Sequence, residues 1–392
     1  MRIVAVEIDH LALPLDPPFH ANWDPVPRTT APATVVRVVT DAGLVGVGGG
    51  DTLAGIEPHL GALLGTDPLA IEPLVRILED IDFHGPRPWP LEAAVWDVIG
   101  QATNAPVARL LGGATDRLPA YASTGAARQP EAHAEVAQHL VARGFTAVKL
   151  RLPARDRLAA LAAVTAVRAA VGDALAVMVD LNQGWRMPGD LTRSIDVVAA
   201  RRIADALAEL EVTWLEEPLH RADLAGLAAL RRDARVRIAG GEMARTVAEV
   251  DAALAADALD VHQPDVVLAG GLWRGRSLAE RILAAGRWYS PHTWTDGLGL
   301  LANLHVAAGV GGGPWLEYPY DPDGWTPDRR DFPLAEPVTV DADGMLQVPQ
   351  VAGLGTALDE ARVAATRVGG LTARLDAAGD PVVRTHGPGG PR

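Results

Sequence analysis

The chain has 392 residues, 48% hydrophobic and 21% charged, the balance of a globular protein that can bury a large core. Its 35 basic residues against 49 acidic give a formal charge of -14, which argues against a polyanionic partner such as nucleic acid but not against a small anion held by a local cluster. Cysteine is absent, which excludes disulfides, thiolate metal sites and cysteine nucleophiles.

"MRIVAVEIDH" lacks the apolar stretch and small-residue cleavage site of a signal peptide, and no run of about 18 apolar residues occurs. A cytoplasmic protein with no membrane span is the expectation. Residues 1–113 read as an α+β unit. "RIVAVEIDHLAL" and "TVVRVVTDAGLVGVGGG" have strand composition, and the second folds back at Asp41–Gly43 as a hairpin. Between them "PLDPPFHANWDPVP", rich in proline and aromatic residues, reads as a surface loop. Helical periodicity follows around 68–81 and 90–104.

Residues 114–319 alternate short apolar runs with Ala/Leu/Arg-rich amphipathic stretches. The runs are "LPAYAST", "AVKLRLP", "LAVMVDLNQ", "VTWLEEP", "VRIAGGE", "LDVHQPD", "WYSPHTW" and "WLEYP", with helical stretches such as 154–172, 195–209 and 246–256 between them. Eight strand–helix units imply parallel strands with right-handed crossovers, closed as an α/β barrel of the (β/α)8 type. No glycine fingerprint for a dinucleotide follows the first strand, which disfavours an open sheet. Residues 320–370 read as loop and short strand, with a hairpin in "VTVDADGMLQVP" around Asp343–Gly344, and 371–392 as a disordered Gly/Pro-rich tail.

Active sites of such barrels form at the C-terminal ends of the strands. Here the second strand ends in Lys149 and Arg151, the third in Asp180 and Asn182, and the fourth in Glu216 and Glu217. The fifth to eighth supply Glu242, Asp265, His292 and Glu317. Any one of these carboxylates is more often a helix cap or an ion-pair partner. Seven consecutive strands with polar ends at one level are not explained that way.

Asp180, Glu216 and Glu242, hard oxygen donors from adjacent strands, suit Mg²⁺ better than zinc, since neither His nor Cys is among them. Strand parity lets only one of Glu216 and Glu217 face inward and does not choose between them. Asp265 beside His292 would fix the imidazole tautomer and make it a general base, with an ordinary ion pair as the alternative. Lys149 and Arg151, on one side of their strand, are expected to face the metal from across the ring, with Glu317 closing the circle. A metal, cations and a His–Asp base together suit abstraction of a proton α to a carboxylate, where the developing enediolate needs electrostatic stabilisation.

At these residues the chain resembles the enolase superfamily, in its mandelate racemase/muconate lactonizing branch, over nearly its whole length. "EAAVWDVIGQATNAPVARLLGG" resembles the last capping-domain helix and the passage into the barrel, and "DGMLQVPQVAGLGTALDE" the C-terminal segment that returns to the cap. "MVDLNQGW", "WLEEPL" and "GGE" resemble the metal-ligand motifs, which implies Asp180, Glu216 rather than Glu217, and Glu242 as ligands. "QPD" and "SPHTW" resemble the Asp–His strands of the mandelate racemase-like subgroup, and "WLEYP" implies that Glu317 hydrogen-bonds the substrate carboxylate. The resemblance implies a barrel with an N-terminal α+β capping domain completed by the C-terminal segment, Mg²⁺ as cofactor, a small carboxylate substrate and a homo-oligomer.

Two departures bear on function. The branch usually has Lys-x-Lys on the second strand, its second Lys a base, and this chain has Lys149-Leu150-Arg151. Arginine stays protonated, so Arg151 is expected to be a fixed charge and hydrogen-bond fork, and His292 alone to carry the proton. That argues against two-base racemisation and favours one-base dehydration of a sugar acid or related hydroxy acid, with a cycloisomerase or epimerase/racemase of the same superfamily as the alternative and a noncatalytic metal-binding barrel less favoured. Asp180 and Glu216 lie 36 residues apart against 26 between Glu216 and Glu242, so "RMPGDLTRS" (186–194) is expected to be an extended loop at the barrel mouth, shaping substrate or a subunit contact. By the same resemblance "PPFHANWDPVPR" is the lid, with His20, Trp23 and Arg28 as candidate substrate contacts beside Asn182 and Trp294. Arg28 is a candidate partner for a distal carboxylate.

Overall fold

A computed structural model describes residues 1–152, 156–322 and 324–388. Strands β1 (Ile3–Phe19), β2 (Arg28–Thr40) and β3 (Val45–Gly49) form an antiparallel meander. The expected turn closes β2 on β3: Thr40 N donates to Leu44 O at 3.0 Å and Gly43 N to Thr40 O at 3.1 Å. Gly43 sits at φ +80°, a conformation that side chains rarely adopt. The helix Trp89–Thr103 lies directly on β3, where a Cβ on Gly46 would come within 2.1 Å of Ala94 O. The small residues of "GVGGG" therefore set the distance between helix and sheet.

The expected 14–27 loop is partly strand. β1 runs on to Phe19, pairing Pro14 with Thr30 and Phe19 with Arg28, and the register breaks between those pairs, where Pro17 and Pro18 have no amide to donate. Phe19 is 2% exposed and packs against Trp294 and Trp325, so burial of the aromatic ring carries the hairpin onto the barrel.

The barrel strands are β4 (Arg117–Ser123), β5 (Ala147–Arg151), β6 (Ala176–Asp180), β7 (Trp214–Glu216), β8 (Arg237–Gly240), β9 (Val261–His262), β10 (Trp288–Tyr289) and β11 (Leu316–Pro319). They pair in parallel in the order β10-β9-β8-β7-β6-β5-β4-β11, each within its expected run except that β4 starts one residue earlier, at Arg117. The seam between β10 and β11 is held by Ser290 Oγ donating to Trp315 O at 2.6 Å and Gly313 N to Tyr289 O at 3.0 Å. Tyr121, Ala147, Met178, Trp214, Ala239 and Val261 pack together inside. Side chains two residues further along a strand point the same way. One layer above that apolar floor therefore come Ser123, Lys149, Asp180, Glu216 and Gln263. β8 departs from this period: Gly241, at φ +97°, turns the chain, and Glu242, three residues beyond Ala239, takes the inward place.

After β11 the chain turns at Asp341–Gly344, and β12 (Met345–Gln347) pairs antiparallel with β4. The expected hairpin in this segment is thus a tight turn plus one bridge, Val340 to Leu346, with its second arm added to the barrel. The chain then crosses to the cap, where β13 (Arg367–Leu375) pairs with β1 and β14 (Pro381–His386) with β13. The expectation of a disordered tail over 371–392 is therefore corrected for residues 371–386. Leu371 and Ala373 are buried against the cap sheet, and the glycine and proline mark a turn at Asp376–Asp380 and a strand start. Residues 389–392 lie outside the described ones. Among the described residues, no helix is long and apolar enough to cross a membrane.

His305 ties three segments together. Its Nδ1 accepts from Ala108 N at 3.0 Å and its Nε2 bonds Leu354 O at 3.0 Å, which requires a neutral ring with the proton on Nε2. Burial pushes its pKa down to about 4 against the upward pull of the Leu354 carbonyl, and burial likewise lowers His133 and His262 to about 4. Between the ordinary value of 6.5 and about 4 the unfolded chain binds more protons than the folded one. Stability is full above pH 6.5 and falls as pH drops through that window, by about 3 kcal/mol for His305 at pH 4. Urea midpoints across pH 4–7 check this, with His305→Asn expected to give the shallower dependence.

Candidate active site

Asp180, Glu216 and Glu242 come together on the barrel axis, each offering a carboxylate oxygen within 4.8 Å of the other two. All three are buried. Asp180 Oδ1 accepts from Asn182 N at 2.7 Å, and Glu242 Oε1 from Trp185 Nε1 at 2.7 Å. Glu216 Oε2 accepts from Trp214 Nε1 at 3.0 Å and Gln263 Nε2 at 2.8 Å. Glu242 Oε2 is buried with no hydrogen-bond partner among the described residues. Burial, and next the Glu216 carboxylate, push Asp180 well above the usual carboxylate range. Three crowded carboxylates, one of them with an orphaned buried oxygen, form a donor set that can hold a metal ion.

Glu217 is turned away from this group. It sits at φ +45°, which breaks the strand alternation, and its carboxylate lies against Gly184, where a Cβ would come within 2.1 Å of Oε1. It borders a small apolar cavity with Leu219, Leu227 and Ala239, and burial first, then Glu242, push its pKa far up.

Lys149 and Arg151 do not face the triad from across the ring; they are bonded to it. Lys149 Nζ lies 2.5 Å from Glu216 Oε1, 2.8 Å from Glu317 Oε1 and 3.8 Å from Asp180 Oδ2. Burial alone would lower its pKa, but Glu216 and Glu317 outweigh that and keep it a permanent ammonium. Arg151 NH1 donates to Asp180 Oδ2, and at 3.2 Å to Asn182 Oδ1, while its Nε donates to Thr124 O at 3.1 Å. Its guanidinium lies 4.2 Å from the Trp23 ring centre and 5.3 Å from that of Trp294. Its plane is thus clasped between the lid and the loop after β10. Glu317 is held between Lys149 and Thr293 N, which donates to Oε2 at 2.7 Å.

The histidine forms the expected pair. His292 Nδ1 is 3.0 Å from Asp265 Oδ2. Asp265 Oδ1 is occupied by Asn303 Nδ2 at 2.7 Å and Val267 N at 3.0 Å. Nδ1 therefore carries the proton toward Asp265, and Nε2 is the basic nitrogen. Asn303, on the helix Gly297–Val310, is a positioning residue with little sequence signal, since its helix is otherwise almost wholly apolar and its partner lies 38 residues away.

A cavity of about 570 Å³ separates this group from the cap. Arg151, Glu242, His292 and Trp294 line it from the barrel, and Trp23, Arg28, Asp51 and Arg87 from the cap. Lys149, Asp180, Glu216 and Glu317 lie beneath, fully buried. Asn182 lines a neighbouring cavity of about 240 Å³ with Asn22, Trp23 and Trp185. His20, expected as a lid contact, is exposed and borders neither cavity, because Phe19 takes the buried place next to it. Residues 186–194 have no helix or strand and are tied by Arg186, which donates to Asn182 O at 2.7 Å and Thr192 O at 2.9 Å.

Residues 131–362 match the family described as Enolase C-terminal domain-like. The chain is 30% identical over 284 residues, 71% of each chain, to the 3,6-anhydro-alpha-L-galactonate cycloisomerase of Streptomyces coelicolor. It is 29% identical over 378 residues, 87% of each chain, to the D-xylonate dehydratase of Haloferax volcanii. The L-talarate dehydratase of Polaromonas sp. JS666, solved with Mg and L-glucarate, superposes with a TM-score of 0.80 at 26% identity, over 96% of this chain and 99% of that one. With these strand-end motifs on this barrel, and relatives of this kind, the chain belongs to the enolase superfamily, in its mandelate racemase/muconate lactonizing branch.

Proposed function

We propose that this protein is a Mg²⁺-dependent dehydratase of a sugar acid or related hydroxy acid. The observation that carries the reading is an asymmetry around the cavity. His292, with Nδ1 committed to Asp265, offers Nε2 as a base, whereas the second-strand position holds Arg151, which cannot give up its proton. A Mg²⁺ ion held by Asp180, Glu216 and Glu242 would supply the charge that favours the substrate's enediolate over its carboxylate.

His292 Nε2 takes the α-proton, and the imidazolium so formed is stabilised by Asp265. The C–O bond at the β-carbon then breaks as the C=C bond forms. The hydroxide leaves as water with the proton that His292 carries, and the enol tautomerises to a 2-keto acid. Lys149 remains a buried cation beneath the reacting carboxylate, and it fixes Glu216 and Glu317. Arg151 offers donors to the substrate from a ring-clasped position.

Incubation with Mg²⁺ and a panel of sugar acids in D₂O tests this. A 2-keto-3-deoxy product supports dehydration. Deuterium at C2 without a keto product supports the isomerase reading, which the cycloisomerases among the relatives favour. Silence across the panel, unchanged in His292→Asn, would leave a barrel that holds metal without turnover. Asn303→Ala, which removes a donor to Asp265, is expected to lower kcat about tenfold with little change in KM, read by steady-state kinetics.

A further inference from the structure

The cap side of the cavity is balanced in charge. Arg28 Nε donates to Asp24 Oδ2 at 3.3 Å on the cavity wall, so its charge is met there by a carboxylate. Arg151 is bonded to Asp180. Asp296 spends its oxygens on Gly50 N at 3.2 Å, Leu298 N at 3.0 Å and Gly299 N at 3.1 Å. Burial pushes the pKa of half-buried His10 down, against the pull of Glu57 and Asp9, which keeps it neutral near pH 7. Among the described residues that line the cavity, every guanidinium already faces a carboxylate.

Asp51 and Arg87 are the pair with capacity to spare. Arg87 NH1 lies 3.6 Å from Asp51 Oδ2, beyond hydrogen-bond length, with side chains 17% and 23% exposed. Arg87 Nε is buried and has no hydrogen-bond partner among the described residues. Asp51 Oδ1 takes Thr52 N at 2.8 Å, and Oδ2 faces Arg87 NH1 at 3.6 Å on the cavity wall that the two residues share. The loop that carries Asp51 is fixed to the barrel: Gly50, at φ +114°, packs so closely on Val267 that a Cβ would come within 2.7 Å of Val267 Cγ2. A donor and an acceptor held side by side, of zero net charge, match a hydroxyl, which both accepts and donates. A carboxylate only accepts, and it would meet Asp51 as a like charge.

We infer that Asp51 and Arg87 read a neutral, hydroxyl-bearing terminus, so that the substrate is a monocarboxylic polyol acid rather than a dicarboxylic one. The inference rests on the dehydratase reading for the carboxylate at the triad, and it names the chemistry of the cavity wall that Asp51 and Arg87 share.

The test uses the Mg²⁺-loaded protein and several pairs of six-carbon acids of the same configuration that differ only at C6, a hydroxymethyl group or a carboxylate; gluconate and glucarate are one such pair. Binding is read by calorimetry and chemistry by α-deuterium exchange. The best monoacid is expected to bind on the order of tenfold tighter than its diacid. Asp51→Asn leaves Arg87 unopposed and narrows that ratio by a similar factor through tighter diacid binding, and Asp51→Ser does the same should the first variant fold poorly. Arg87→Gln, which leaves Asp51 unopposed, widens the ratio. Diacids that bind wild type as well as or better than monoacids overturn the inference, as do ratios unmoved in all three variants, or no binding by any pair. A monoacid preference without exchange would sink the dehydratase reading and leave the terminus assignment standing.

Discussion

His292→Asn is expected to lower α-proton exchange by about 10²–10⁴-fold while substrate and Mg²⁺ binding stay within a few-fold. The imidazole borders the cavity and touches none of the three triad carboxylates through a hydrogen bond, so its loss removes the proton carrier and spares the metal donors. Burial alone would lower the His292 pKa, but the Asp265 hydrogen bond, then Glu242 and Glu317, raise it to about 9. A base must be neutral, so exchange increases with pH as His292 deprotonates. A cation at Glu242 cancels part of the upward pull, and the rising limb of the Mg²⁺-loaded enzyme is therefore expected below pH 9. Asp265→Asn removes the largest upward cause; it should move that limb to lower pH and reduce the plateau, because nothing then fixes the tautomer. A pH profile of exchange in the three proteins checks both statements. An unchanged limb in Asp265→Asn would show that the pair does not set the base.

Glu242→Gln is expected to have the second largest effect, with opposite signs in the presence and absence of metal. Without metal, the substitution removes one of three crowded anions and keeps the oxygen that Trp185 Nε1 bonds, so the variant is expected to be about 1 kcal/mol more stable than wild type. With Mg²⁺, wild type gains stability in proportion to the logarithm of ion concentration, and the variant, short of one donor charge, gains little. Its Mg²⁺ affinity should fall by at least about 100-fold, with loss of turnover to match. Urea denaturation at stepped Mg²⁺ concentrations reads this without any assay of activity. Equal Mg²⁺-dependent stabilisation of the two proteins would mean that the ion is held elsewhere.

The barrel was legible in the sequence because each strand is a short apolar run with a polar end, and strand alternation carries that pattern straight into space. Lys149 and Asp180 stand two residues above Ala147 and Met178 for this reason. Legibility ended where a backbone turn breaks the period. Neither the choice between Glu216 and Glu217 nor the inward place of Glu242 follows from counting, since Glu217 and Gly241 both adopt positive φ. Long-range partners were equally hidden: Asn303, Asp51 and Arg87 reach the site from elements whose own patterns speak only of helix, turn and loop. The tail was misread because glycine and proline mark the turns and strand ends of a hairpin as readily as they mark disorder. The outward place of His20 was hidden as well, since an aromatic-rich lid does not say which of its rings turn inward; Phe19 and Trp23 do, and His20 does not.

The central claim is that a single base serves one face of the α-carbon while Arg151, clasped between Trp23 and Trp294, serves the other without exchanging a proton. The most direct measurement is nuclear magnetic resonance of α-deuterium incorporation from D₂O, made separately on both C2 epimers of an accepted acid with the Mg²⁺-loaded wild type. One epimer should exchange and proceed to the 2-keto product while the other remains inert. Fast exchange of both epimers, with interconversion between them, would contradict the account and require a proton carrier on the face that Arg151 occupies.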